Sequence, residues 1–373
     1  MNIMRSKLAV AVVATVIALV WVVGKRSRPA NSIPPLEQPR ALSARPATRP
    51  GLSNPGWTLS SPPVDPSLEG RSRTNLIARL LKGEELPKLS SEQVQTYLDQ
   101  NHRSVESLLA AFHATDDRTI LREAMEKSPG DPRLDYVAWS RSQSPEERRE
   151  WLDAFKRSAP DNALANYLAA RDYFKSGQND LAVQEILAAA AKPIQDYSLD
   201  FVQNGEEVYR AAGYSEAESK LIATSTLLLP QLAELKQVGH HLVDLANAYR
   251  ESGDGASAQE ALQMAMNLGQ RLDAPESLTL IQSLVGIAVQ RMVLNAMEPN
   301  SPYGDTGQSV QNQIDALVQR KEGVRILAQQ TGTVLPKMSD QDLISYFDRM
   351  KTFGEQATLQ WAASRFDPQT QWK

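Results

Sequence analysis

From Arg73 to the end of the chain, apolar residues recur at intervals of three and four, and that spacing limits what the chain can become. VQTYLDQ (94–100), VESLLAAF (105–112), ILREAM (120–125) and YVAW (136–139) each supply one apolar stripe along a helix. No run shows the strict polar–apolar alternation of a half-buried strand. The stripes are broken by SPGDPR (128–133), SQSPEE (142–147) and SAPDN (158–162), and these breaks carry helix-start chemistry. Ser144 precedes Pro145 and is followed three residues on by Glu147, a capping box with proline at the first helical position. Ser339 and Asp342 repeat that logic before LISYFDRM (343–350). The chain is therefore expected to be all-α.

Composition narrows the chemistry. The 373 residues include no cysteine, which excludes a disulfide framework, a cysteine metal site and a thiol nucleophile. The net charge of −4 hides an asymmetry: residues 1–75 carry +7 and the remainder −11. An acidic body argues against a nucleic-acid partner, because phosphate binding needs a basic surface.

The amino terminus reads as a short basic piece (1–7), an apolar segment (8–24) and a proline-rich linker (25–72). LAVAVVATVIALVWVV, residues 8–23, has no charge. As a helix it spans about 24 Å, somewhat short of the roughly 30 Å hydrocarbon core. A cleaved signal peptide fits the length, but the cations that follow Gly24 make a poor cleavage site. An uncleaved anchor accounts for Trp21, Lys25 and Arg26 better. The expected protein is then single-pass and membrane-anchored, with its body periplasmic or otherwise extracytoplasmic. Ten prolines among residues 29–68 make an extended tether, about 35 Å long as a coil and at most about 120 Å as polyproline.

Within the body the sequence repeats itself. ILREAMEKSPGDPRLDYVA (120–138) aligns with EWLDAFKRSAPDNALANYLA (150–169), and YFKSGQNDLAVQEILAAAA (173–191) with YRESGDGASAQEALQMAMN (249–267). Ala170, Tyr173, Ala182, Ile186 and Ala189, and likewise Ala246, Tyr249, Ala258, Leu262 and Ala265, give the chain a pattern that resembles the tetratricopeptide repeat. The resemblance implies helical hairpins stacked into an α-solenoid over 73–272, with an irregular helical region, 273–373, packed on it. An irregular bundle is the alternative. The 76-residue separation is not two 34-residue repeats, and Pro230 is expected to interrupt STLLLPQLAELKQ (225–237).

In that family the first helix of each pair lines a groove that holds extended peptides. Carried over, the groove residues are Tyr167, Arg171 and Lys175, beside Phe174, in one unit and His240, Asp244, Asn247 and Arg250 in the other. Alternatively, Tyr167 and Phe174 pack inward and leave no groove.

No catalytic set stands out. His240 and Asp244 share a helix face, but nothing nearby supplies a third metal ligand. Asp305-Thr306-Gly307 matches an aspartic-protease tripeptide without a second copy, and GDGASA (253–258) follows a helix, so it makes a turn instead of a phosphate cradle. Neither cofactor nor metal is expected. The function expected is a non-catalytic protein-interaction scaffold of the cell envelope. Two others remain open: a helical envelope enzyme of hydrolase type with an unidentified site, and a homo-oligomer using 275–366 as its face.

Overall fold

The computed structural model describes residues 73–82, 86–275, 277–304 and 307–367. They are all-helical, and among them the one β feature is an isolated antiparallel bridge between Pro302 and Ser309. The apolar segment 8–24, the linker 25–72 and the pair Asp305-Thr306 lie outside the described residues. No described helix is long and apolar enough to cross a membrane.

Helices begin where side chains satisfy the free amides of a first turn. α1 spans Arg73–Leu81, α2 Ser91–Gln100, α3 Val105–Thr115 and α4 Arg118–Lys127. Ser90, Ser104 and Asp117 each accept a bond from a backbone amide of the helix that follows. α5 (Pro132–Arg141) and α6 (Pro145–Ser158) start on Asp131-Pro132 and Ser144-Pro145, as expected. At Ser144 the box closes halfway. Its Oγ accepts from the Glu147 amide at 3.1 Å, but the Glu147 carboxylate accepts from the Gln143 amide at 3.0 Å. Ser339 and Asp342 complete theirs in both directions.

Three hairpins share one closing device. α7 (Ala163–Lys175) turns into α8 (Asn179–Ala189), α9 (Ser198–Ala211) into α10 (Glu216–Ser225), and α11 (Pro230–Glu251) into α12 (Gly255–Leu272). In the first, the amides of Gln178 and Gly177 donate to the carbonyls of Tyr173 (2.9 Å) and Phe174 (3.0 Å). In the third, Asp254 and Gly253 do the same to Tyr249 (2.9 Å) and Arg250 (3.0 Å), and in the second Tyr214 and Gly213 to Tyr209 (3.1 Å) and Arg210 (3.0 Å). The reversal needs a left-handed residue after the helix, which glycine adopts without a Cβ clash: φ is +74° at Gly177 and +83° at Gly253. Ala170, Ala182, Ile186 and Ala189 are buried, and so are Ala246, Ala258, Leu262 and Ala265. Pro230 does not interrupt a helix; it opens α11 at its first turn, where a missing amide proton costs nothing.

Stacking does not follow chain order. α7 packs directly against α11, so the two hairpins that match best in sequence are neighbours in space, while α9 packs on α3. α13 (Leu280–Asn295) continues from α11 and α12, followed by α14 (Val310–Val334), a 3-10 turn at Leu335–Lys337 and α15 (Asp340–Phe366). Contacts run from α3 through α4, α5, α6, α7, α11, α13, α14, α15, α10 and α9 back to α3. The body closes on itself.

Two features fix the closure. Where α15 meets α10, the Lys220 ammonium lies 2.6 Å from Asp348 and 3.3 Å from Glu206, and Lys351 reaches the other Glu206 oxygen at 2.6 Å. Where α15 meets the start of α13, Gly354 breaks the helix at φ 78° and ψ 166°. The break releases the Glu355 amide to donate to Leu278 at 3.0 Å, and lets the Glu355 carboxylate accept from the Leu280 amide at 2.7 Å.

Burial raises the Glu355 carboxyl above its ordinary value, against the opposing effect of the Leu280 amide. A carboxyl whose folded value is raised favours folding most below its unfolded value. That stabilisation is lost as pH rises from there through the folded value, and a constant penalty follows. Glu355→Gln keeps an acceptor for Leu280 without the charge. Thermal melts of this variant should match wild type near pH 4 and exceed it at pH 8. A variant that melts lower than wild type at pH 8 would show that the charged form is the favoured one.

A candidate interaction groove

Two of the residues expected to bind a partner, Arg171 and Lys175, line a groove of about 400 Å³ between the α5–α6 turn and the end of α7. Ser142, Gln143, Ser144 and Pro145 form one wall, with Arg148 and Arg149 rising from α6; Arg171, Asp172, Lys175 and Ser176 form the other. Arg148 and Arg149 sit one turn into α6 because the Ser144-Pro145 start sets where that helix begins.

α11 holds two of these cations in place. The Glu234 carboxylate lies 2.8 Å from Arg148 Nη2 and 2.5 Å from Arg171 Nε, one oxygen to each. Arg171 also reaches Asp172 at 3.3 Å. The Arg148 guanidinium stands 4.5 Å from the Trp139 ring centroid, and Arg149 stands 5.2 Å from that of Tyr173. Clamped on carboxylates and ring faces, these groups have lost part of their rotamer freedom before any partner arrives. Lys175 is exposed at the rim. Four cations against Asp172, Glu234 and the Glu147 carboxylate that caps Gln143 leave the groove positive by one charge on a body that is acidic overall. At physiological salt, charges beyond about 8 Å are screened, so the local excess governs what binds here.

The remaining expected residues divide. Tyr167 is 2% exposed and its hydroxyl accepts from Arg271 Nη1 at 2.9 Å, so it packs in the core and presents nothing to a partner. That is a correction to the carried-over groove, and Phe174 is buried too. Arg271 also donates to the carbonyls of Ala189 and Lys192. Tyr167 therefore helps to tie α12 to the end of α8. His240, Asp244, Asn247 and Arg250 form an exposed stripe along α11, apart from the groove lining. His240 Nδ1 lies 3.0 Å from Asp244, and Arg250 is 3.4 Å from Asn247.

His241, one residue on, is nearer the groove. Its ring stacks on Phe174 at 5.4 Å, and burial, with help from His240 and Arg171, lowers its basicity against the pull of Asp244. Among the described residues, no three histidine, aspartate or glutamate side chains are grouped to hold a metal ion.

Sequence reasoning missed Arg148, Arg149 and Glu234. The signal was local, since SPEERRE (144–150) places two arginines just after a helix start. Glu234 becomes visible as their partner only once α11 is laid against α7. Comparison of the chain with known protein families, with curated proteins and with solved structures returned no match.

Proposed function

We propose that the protein is a membrane-tethered, non-catalytic interaction scaffold of the cell envelope, built on tetratricopeptide-like hairpins, and that the groove between α6 and α7 takes an acidic peptide segment of a partner. The observation that carries this reading is the convergence of Arg148, Arg149, Arg171 and Lys175 on one groove, two of them held by Glu234. Guanidinium forks match carboxylates in two-point bonds, which suits aspartate and glutamate side chains on an extended chain. The apolar segment 8–24 and the proline-rich tether support the placement at a membrane, with the body held at a distance from it.

Fluorescence anisotropy with a labelled aspartate- and glutamate-rich dodecapeptide tests the groove. Arg149 and Lys175 make no ion pair with Glu234, so Arg149→Ala with Lys175→Ala should leave the fold unchanged. Each partly exposed cation contributes up to about 1 kcal/mol, so the double variant should bind about tenfold more weakly. The wild-type affinity should also fall steeply with added salt. Equal affinity of variant and wild type, or no saturable binding by the wild type, would remove the groove from the proposal.

A further inference from the structure

A second opening, sharing no lining residue with the groove, lies where α3, α5, α9 and the 226–230 turn meet. It encloses about 190 Å³. A cavity of about 150 Å³ with apolar walls is enough to hold benzene.

The walls divide by chemistry. Phe201, Ala223 and Leu227 make an apolar side, while His113 and Arg141 make a polar corner. The Tyr136 hydroxyl, also on the wall, already donates to Gln231 at 2.7 Å. His113 Nε2 is buried and has no hydrogen-bond partner. An unmet buried polar atom costs roughly 1–3 kcal/mol, and this one belongs to a residue of the cavity wall. The ring cannot turn away easily: it stacks on Phe201 at 4.1 Å and meets Phe112 edge-on at 5.6 Å. Burial, followed by the Arg141 charge, lowers the imidazole to about 3, so it is neutral at pH 7 and one ring nitrogen carries a proton. The Arg141 guanidinium is 3.2 Å from Asp116 and 5.7 Å from the Phe112 ring, which holds it beside the same corner.

We propose that this cavity binds an aromatic group a few bonds from a carboxylate, with the ring against Phe201 and Leu227 and the carboxylate at His113 Nε2 and Arg141. An apolar ring fills the apolar side, and the acid meets the cation and, in the tautomer protonated at Nε2, the unpartnered imidazole nitrogen. Two sources offer this chemistry: a free aromatic carboxylic acid, or a protein chain ending in phenylalanine.

Isothermal titration of the full-length protein in lipid nanodiscs, with 3-phenylpropionate, its neutral amide and an N-acetylated tetrapeptide ending in phenylalanine, tests the assignment. Saturable binding of the acid or the peptide is expected, with the amide at least tenfold weaker. Ser140 lines the cavity and its hydroxyl bonds only within α5, to Val137, so Ser140→Leu should fill the space and abolish binding while the protein still melts cooperatively. Arg141→Met should weaken the acid at least tenfold and leave the amide unchanged. Tighter binding of the peptide assigns the source to a chain end; tighter binding of the acid assigns it to a small molecule. The proposal fails if neither probe saturates the wild type, or if the amide binds as well as the acid.

Discussion

Gly354→Ala is expected to destabilise the body by about 4 kcal/mol, the sum of two independent costs. The backbone there has φ 78° and ψ 166°, a region open almost exclusively to glycine, where another residue costs about 1–3 kcal/mol. A Cβ at this position would also stand 2.6 Å from the Ser277 carbonyl oxygen, a backbone atom that cannot swing aside. Overpacking of that kind costs a further 1–3 kcal/mol or so. The damage should be local first. If the break moves, the Glu355 amide leaves Leu278 and its carboxylate leaves the start of α13, so the Leu280 amide should lose hydrogen-exchange protection ahead of global unfolding. Urea unfolding reads the total. A loss below about 1 kcal/mol would mean that α15 can straighten without strain, and the account of the kink would be wrong.

The next largest effect is expected at Lys220, whose residue is 6% exposed. Lys220→Met preserves most of the side-chain volume and removes the charge facing Glu206 and Asp348. Removing one member of a buried ion pair costs about 3–5 kcal/mol, chiefly through the charge left behind. Here the lower end applies. The Asp348 side chain is 54% exposed and can turn to water, and Lys351 still pairs with Glu206. About 3 kcal/mol is therefore expected in urea unfolding. A second change, Glu206→Gln, should restore part of it, because neighbours in one network do not add. A Lys220→Met variant within about 0.5 kcal/mol of wild type would show that the network is solvated and contributes little to closure.

Much of the helical layout could be read from the chain, for reasons visible in particular residues. The Ser-Pro and Asp-Pro starts of α5 and α6 are local signals, and local signals survive folding. The matched alanines at 170 and 246, 182 and 258, and 189 and 265 are small because another helix passes close by, and they are buried. In the middle hairpin the sequence shows an irregular helix pair over 194–237 but not the repeat. Tyr209 and Gly213 hold the same places as Tyr173 and Gly177, and Ile222 the place of Ile186. The residues standing for the alanines at 170 and 182, however, are Glu206 and Glu218. Glu206 pairs with Lys220 of its own hairpin and with Lys351 of α15, not with a neighbouring repeat. A carboxylate stands where the other two hairpins carry alanine, and a pattern search on small residues cannot follow that difference.

The binding side was harder to read. Arg171 and Lys175 came from a carried-over register, and both line the groove between α6 and α7. The same register put Tyr167 on the wrong side, because a tyrosine on an apolar stripe looks alike whether its hydroxyl meets a partner or meets Arg271. Glu234 lies 63 residues from Arg171 in the sequence. Nothing short of the stacking of α7 on α11 brings them together.

Closure of the helix circuit also governs how the molecule can be made and pulled. An open array of hairpins forms and frays one unit at a time, each leaning on its neighbours alone. Here α9 and α10, near the middle of the chain, find one of their neighbours in α15, so that interface cannot form until almost the whole chain has left the ribosome. Once formed, the ring has no free end to stretch. Force applied at residue 73 would load α1 and its contact with the 3-10 turn at Leu335–Lys337 before it reached the circuit, which should then give way as a unit.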